Sequence, residues 1–399
     1  PKPWISAEIN GFDLTNLNPF FAGSGTKFEG IVNGEASIRD FYNKRILNAS
    51  LNIDELTVNE SLIGDVNMDS RLDKTQMALM LNGEIVRLGE KSLAFEGIYD
   101  MESEDNPIDM DVTANHFNIG FLDTQIDEGI SNLHGAVSGL ININGSPDAI
   151  MLEGELNFED LGFHVDYLNT SYTLSQGITI YPDMFALNSI EVKDQEGNVG
   201  HLVGQVIHDN FTGWNFDAFL DVEDTNFLCL NTSESENDLY YGKAYGRGYV
   251  GVSGYAENLE LDIHLTSGPN TSISMPLDNS SEVTFAEFVS FVDRDAPVLE
   301  EKKELDLSGI KLNFSLDITP DASFRLIFDE AVGDVLSGKG TGHINMTIST
   351  LGQFEMNGEI EVVEGNYLFT LKNLINKEFE IIPGGSIRWY GDPMAADLQ

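Results

Sequence analysis

Side chains that switch between apolar and polar at every step, in stretch after stretch, constrain this 399-residue chain more than any other feature. Ile5, Ala7 and Ile9 alternate with Ser6, Glu8 and Asn10. The same rhythm returns at Ile150, Leu152, Leu156 and Phe158, at Leu259, Leu261, Ile263 and Leu265, at Leu312, Phe314, Leu316 and Ile318, and at Phe354, Met356, Ile360 and Val362. Period-two patterning of this kind is that of strands with one covered face, so the chain is predicted to be all-β. Strands of about 8 residues with turns of about 4 would give roughly 30 of them. Helical patterning is scarce. One short amphipathic helix is predicted near 281–295, where Thr284 and Glu287 form a capping box and Phe285, Phe288, Val289 and Val292 share a face.

The polar face is acidic. Asp109, Asp111, Glu153, Glu155, Asp217, Asp221, Glu260, Asp262, Asp317, Glu355, Glu359 and Glu361 all occupy alternate positions in such runs. Asp and Glu outnumber Lys and Arg by 66 to 21, a net charge of −45, which repels a phosphate backbone and excludes nucleic acid as a partner. Hydrophobic residues at 41% against 22% charged are enough for a packed body, so the acidity reads as a solvated outer face that hinders edge-to-edge association. The single cysteine, Cys229, lies in the apolar run Phe227 to Leu230 and is expected to be a small core group. No run approaches the roughly 20 apolar residues of a membrane helix. The chain opens at Pro1, and any anchor or export signal is expected outside residues 1–399.

A longer period is superimposed. Phe12, Phe117, Phe227 and Phe324 each follow a strand and precede a glycine-punctuated strand pair, at separations of 105, 110 and 97 residues. The expected organisation is four repeats of roughly 100 residues: 1–110, 111–215, 216–313 with the helix, and 314–399. With no Pro-rich linker between them, a continuous sheet is predicted.

Chemical motifs fail on context. Gly333 to Lys339 spells half of a phosphate-binding loop, but Gly340 replaces the hydroxyl residue and His343 to Ile348 alternate as a strand. Gly246, Gly248 and Gly251 match a dinucleotide pattern, yet Tyr249, Val250 and Val252 continue as β-structure. The seven histidines have no metal-ligand spacing, and no Gly-x-Ser-x-Gly elbow or calcium loop occurs. No catalytic, cofactor-binding or metal residues are assigned, and the chain is expected not to be an enzyme.

From Phe216 onward the chain resembles the TamB family, relatives of the AsmA-like group and of bridge-like lipid-transfer proteins. The resemblance rests on Gly246-x-Gly248-Tyr-Val-x-Val-x-Gly254, on Ser274-Met-Pro276 with Phe285, Phe288 and Phe291, and on Leu312-Asn-Phe314 running to Pro320. Its most specific part is the tail: Glu364-Gly-Asn-Tyr367-x-Phe369, then Phe379-x-Ile381-x-Pro383, Gly385, Ile387, Trp389, Gly391-Asp-Pro393. The resemblance implies an elongated sheet folded lengthwise into a taco or prism, with an apolar concave groove and a polar convex face. It also implies a periplasmic body, an inner-membrane anchor, and an outer-membrane assembly barrel of the TamA/BamA type as partner. Both membrane-proximal parts are expected outside residues 1–399, and residues 314–399 correspond to a truncated C-terminal domain of the family.

The expected function is a bridge carrying phospholipids along that groove between inner and outer membranes. Its predicted lining is Ile150, Leu152, Leu156, Phe158, Phe216, Leu259, Leu261, Ile263, Phe314, Leu316, Phe354 and Met356, with acyl chains as ligand and no cofactor. Two other readings compete: a scaffold offering sheet edges to nascent outer-membrane strands, and tandem immunoglobulin-like adhesin domains.

Overall fold

In the computed structural model the alternating stretches are strands. The structure describes residues 4–21, 23, 25–39, 46–73, 78–103, 105–125, 129–237, 240–276, 309–329, 334–349, 353–371, 375–393 and 395–399. The helix predicted near 281–295 lies outside them. Among the described residues, 24 strands belong to one hydrogen-bonded sheet. The described strands are longer than the sequence suggested, up to 19 residues in one case, because bulges let a strand bend without ending. Contacts divide the chain into two units: residues 1–164, 171–193 and 201–218, and residues 165–170, 194–200 and 219–399.

The first unit opens with an antiparallel meander: β1 (Trp4–Asp13), β2 (Phe28–Arg39), β3 (Ile46–Val58), β4 (Ser61–Asp73), β5 (Ala78–Arg87), β6 (Glu90–Asp100), β7 (Ile108–Asn118) and β8 (Ile130–Ser146). Each pairs with the next. The register puts like with like, Leu51 opposite Met68, Val66 opposite Ile85, and Phe95 opposite Val112. Cross-strand apolar rows of this kind are the unit of sheet stabilisation. Then come β9 (Ala149–Val165), β10 (Thr170–Tyr181), β11 (Met184–Asp194), β12 (Val199–Asp209) and β13 (Thr212–Asp221).

Bulges recur in this meander. The register shifts between Ile9 and Phe12, between Ile53 and Leu56, and between Ala114 and Phe117. At each shift one residue turns to positive φ: Gly11 at 64°, Glu55 at 51° and His116 at 49°. The N–H so turned donates to a side chain of the adjoining strand, Asn33 Oδ1 at 2.8 Å, Asp65 Oδ1 at 2.9 Å and Ser138 Oγ at 2.8 Å. Ser138 Oγ also donates to Glu159, which contacts His116 Nδ1. Beyond Phe12 and Phe117, two of the residues that marked the long period, the chain leaves the sheet in 3-10 turns at Leu14–Leu17 and Gly120–Gln125.

The second unit holds β14 (Phe227–Thr232), β15 (Tyr241–Tyr255), β16 (Asn258–Ser267), β17 (Ser272–Pro276), β18 (Ile310–Ile318), β19 (Ser323–Asp329), β20 (Asp334–Ser349), β21 (Gln353–Leu371), β22 (Ile375–Ile381), β23 (Ser386–Gly391) and β24 (Asp397–Leu398). Its long strands each serve two ladders. β15 pairs through Gly246–Tyr255 with β16 and through Tyr241–Lys243 with β17. β20 likewise divides between β18 and β19, and β21 between β23 and β22. The first ladder thus holds β16, β18 and β23, the second holds β17, β19 and β22, and a fold line separates them.

That line is a polar seam. Tyr245 N–H donates to Thr271 Oγ1 at 3.0 Å, and Gly268 N–H to Tyr245 O at 2.8 Å. Thr319 N–H donates to Ser267 Oγ at 2.9 Å, and Val362 N–H to Gly385 O at 2.7 Å. Backbone groups that leave the ladder at the bend therefore keep partners. The two glycine motifs lie in these strands, Gly246 to Gly251 within β15 and Gly338-Lys339 within β20. Neither opens a helix.

Candidate functional site

On the first ladder of the second unit, register stacks the apolar residues into rows that cross the strands. Val252, Leu261, Leu312, Ile348 and Phe354 make one row, and Val250, Ile263, Phe314, Met346 and Met356 the next. A third runs through Gly248, Leu265, Leu316, Ile344, Gly358 and Trp389. Seven predicted lining residues, Leu259, Leu261, Ile263, Phe314, Leu316, Phe354 and Met356, are brought together on this one face. The other five belong to the first unit. Ile150, Leu152, Leu156 and Phe158 occupy alternate positions of β9, and Phe216 lies on β13.

Burial divides the face sharply. All apolar residues of these rows on β15, β16 and β18 are half-buried, as are Ile150, Leu152, Leu156, Phe158 and Phe216. In the first row Ile348 and Phe354 are half-buried too, but in the other two rows the side chains on β20, β21 and β23 sink: Ile344 is 2% exposed, Met346 8%, Met356 5% and Trp389 2%. Met356 belongs to a sealed cluster drawn from both ladders, with Leu326 and Leu336 from the second and Ile344, Ile360, Ile387 and Trp389 from the first. Tyr367, Phe324 and Ile381 pack against it from the second ladder. Sequence reasoning missed this second ladder as a surface, because in β21 the alternation changes phase at the fold line, between Val362 and Tyr367.

Trp389 is fixed in the cluster by its indole, whose Nε1–H donates to Pro393 O at 3.1 Å. It stands opposite Gly358, which offers the indole no side chain to clash with. Tyr367 is also held in place. Desolvation, aided by Asp334, pushes its phenol up to about 12. The tail motif read from the sequence is therefore a packing motif.

The opposite face is polar and paired. Lys311 Nζ lies 2.6 Å from Glu260 Oε1, and Arg388 Nε 2.8 Å from Glu359 Oε1. Those cations hold both carboxyls below the usual carboxylate range. The other ten outer-face acids named from the sequence are exposed. Among the described residues no group of three or more His, Cys, Asp or Glu is placed to hold a metal ion. No described helix is long and apolar enough to cross a membrane. Burial pushes the Cys229 thiol up to about 12, so at neutral pH it is a protonated packing group.

Residues 188–399 match the family model of the TamB C-terminal domain. The chain belongs to the TamB family. The match begins inside β11 and runs through both TamB ladders to the end of the chain, so the half-buried rows and the sealed cluster both lie within it. Membership gives this TamB chain a role in the cell envelope, in translocation and assembly or in lipid transport. No curated protein and no solved structure matches it.

Proposed function

We propose that this TamB chain is a non-enzymatic periplasmic conduit for phospholipids, whose acyl chains lie on the half-buried apolar rows as they pass between inner and outer membranes. The observation that carries the reading is the face around Leu261 and Phe314, where a run of aliphatic and aromatic side chains stays half-exposed across three adjacent strands. Exposing an acyl chain costs about 0.8 kcal/mol per methylene, so a two-chain lipid with about 30 methylenes faces a barrier on the order of 20 kcal/mol in water. An apolar track removes most of that. The head group stays hydrated, and no catalytic group or cofactor is needed. An outer-membrane barrel of the TamA/BamA type would receive the cargo.

The test is native mass spectrometry of the purified chain for co-isolated phospholipid, in wild type and in Leu261→Asp and Phe314→Asp. A carboxylate on the track should abolish lipid occupancy while circular dichroism stays that of a β-sheet. Undiminished loading in both variants would remove these side chains from any track. Crosslinks to unfolded barrel proteins with no lipid bound would favour the scaffold reading.

A further inference from the structure

The geometry points to Trp389 as a stopper that ends the acyl path between β18 and β20 in the two rows nearer the fold line, so that lipid tails pass that step only along the outer row through Ile348 and Phe354 unless this side chain moves. The inference rests on the lipid reading above and adds where the track stops and what stops it.

The boundary falls within single rows. In the row through Val250, Ile263 and Phe314, the three residues are half-buried, and the next two, Met346 and Met356, are buried. In the adjoining row Leu265 and Leu316 are half-buried and Ile344 is 2% exposed. The residue types do not change across the step, so hydrophobicity alone does not place it. What changes is the opposite ladder. From β19 onward Leu326 and Leu336 close down on the first ladder and share one cluster with Ile344, Met356 and Trp389. An interior already at close-packed density has no room for a methylene chain.

Within that cluster Trp389 is the largest side chain buried to this degree, and it arrives from β23, which pairs with only the Met356–Glu361 part of β21 and two residues of β24. The indole is thus a large plug on a short strand, held over Gly358 and by the bond to Pro393. Removing it leaves a cavity lined by Ile344, Met356 and Ile360, in line with the half-buried rows. Met356, predicted as part of the track, belongs to the plug.

The test loads the full chain from phosphatidylethanolamine vesicles doped with a diazirine-tailed phosphatidylethanolamine, irradiates it, and maps adducts by peptide mass spectrometry. Wild type should carry adducts on β15, β16 and β18, with at least tenfold fewer on Ile344 and on Met356 to Ile360. Trp389→Ala should raise adducts at those positions to within about threefold of the β16 level, and Trp389→Phe should keep the wild-type pattern. Equal labelling of β16 and of Met356 to Ile360 in wild type overturns the stopper while leaving the lipid reading intact, and it does so even if Trp389→Ala fails to fold. A folded Trp389→Ala with an unchanged map also overturns it. Absence of adducts from the whole apolar face defeats the lipid reading and the stopper together.

Discussion

The half of the second unit built on β15, β16 and β18 and the half built on β20, β21 and β23 share a ladder, a register and a choice of residues, yet in two of their three common rows one is half-buried and the other sealed. Leu261 and Met356 both sit at inward positions of an alternating strand. Their difference lies in the partner ladder, whose Leu326 and Leu336 share the sealed cluster with Met356, with Met275 packed against it, while Leu261 stays outside that cluster. Exposure of an apolar face is therefore decided by the residues that face it across the fold line.

Truncation should separate the two halves most clearly. Trp389→Ala opens a large cavity in a sealed cluster and should cost about 3–5 kcal/mol, whereas Leu261→Ala on the half-buried rows should cost about 1 kcal/mol or less. Urea denaturation of the two variants measures the difference, and equal losses would mean the rows around Leu261 are as tightly packed as the cluster. A smaller contrast lies in the glycines. An added Cβ at Gly358, where φ is +142°, would sit 2.1 Å from His343 O, while at Gly251 the nearest atom is 3.8 Å away. Gly358→Ala should lose more than about 1 kcal/mol, and Gly251→Ala should stay within about 0.5 kcal/mol of wild type.

The smallest effect is electrostatic. Arg388 and Lys311 lower the folded-state titration of Glu359 and Glu260, so each contributes stability that is present above the unfolded value of 4.5 and lost as pH falls through the lowered folded value. Both pairs are solvent-facing and screened. Glu359→Gln should slightly flatten the acid limb of a stability–pH curve in low salt and leave the neutral limb unchanged, and the flattening should fade at high salt.

Much of this was legible in the residues. Alternation puts Leu259, Leu261 and Ile263 on one face of their strand and Phe314 and Leu316 on one face of theirs, and register lays the two strands side by side with Ile263 opposite Phe314. The glycine motifs were read as strand, and strand they are. The fold line was not legible. The phase of β21 breaks at Val363, the extra residue where its register against β20 shifts, and a fixed period reads such a break as the end of a strand. Residues beyond it, such as Tyr367, then have no face assigned. Met356 shows the converse limit, since nothing in its own strand says whether another ladder covers it.

The side-chain-anchored bulges of the first unit carry a further consequence. A meander of look-alike strands has little to tell one alignment from another two residues away, and a slip of a single residue would present every greasy group to water. By binding the displaced amides of Gly11, Glu55 and His116, the side chains of Asn33, Asp65 and Ser138 index neighbouring strands like detents on a slide rule. Such a sheet can grow long without losing count.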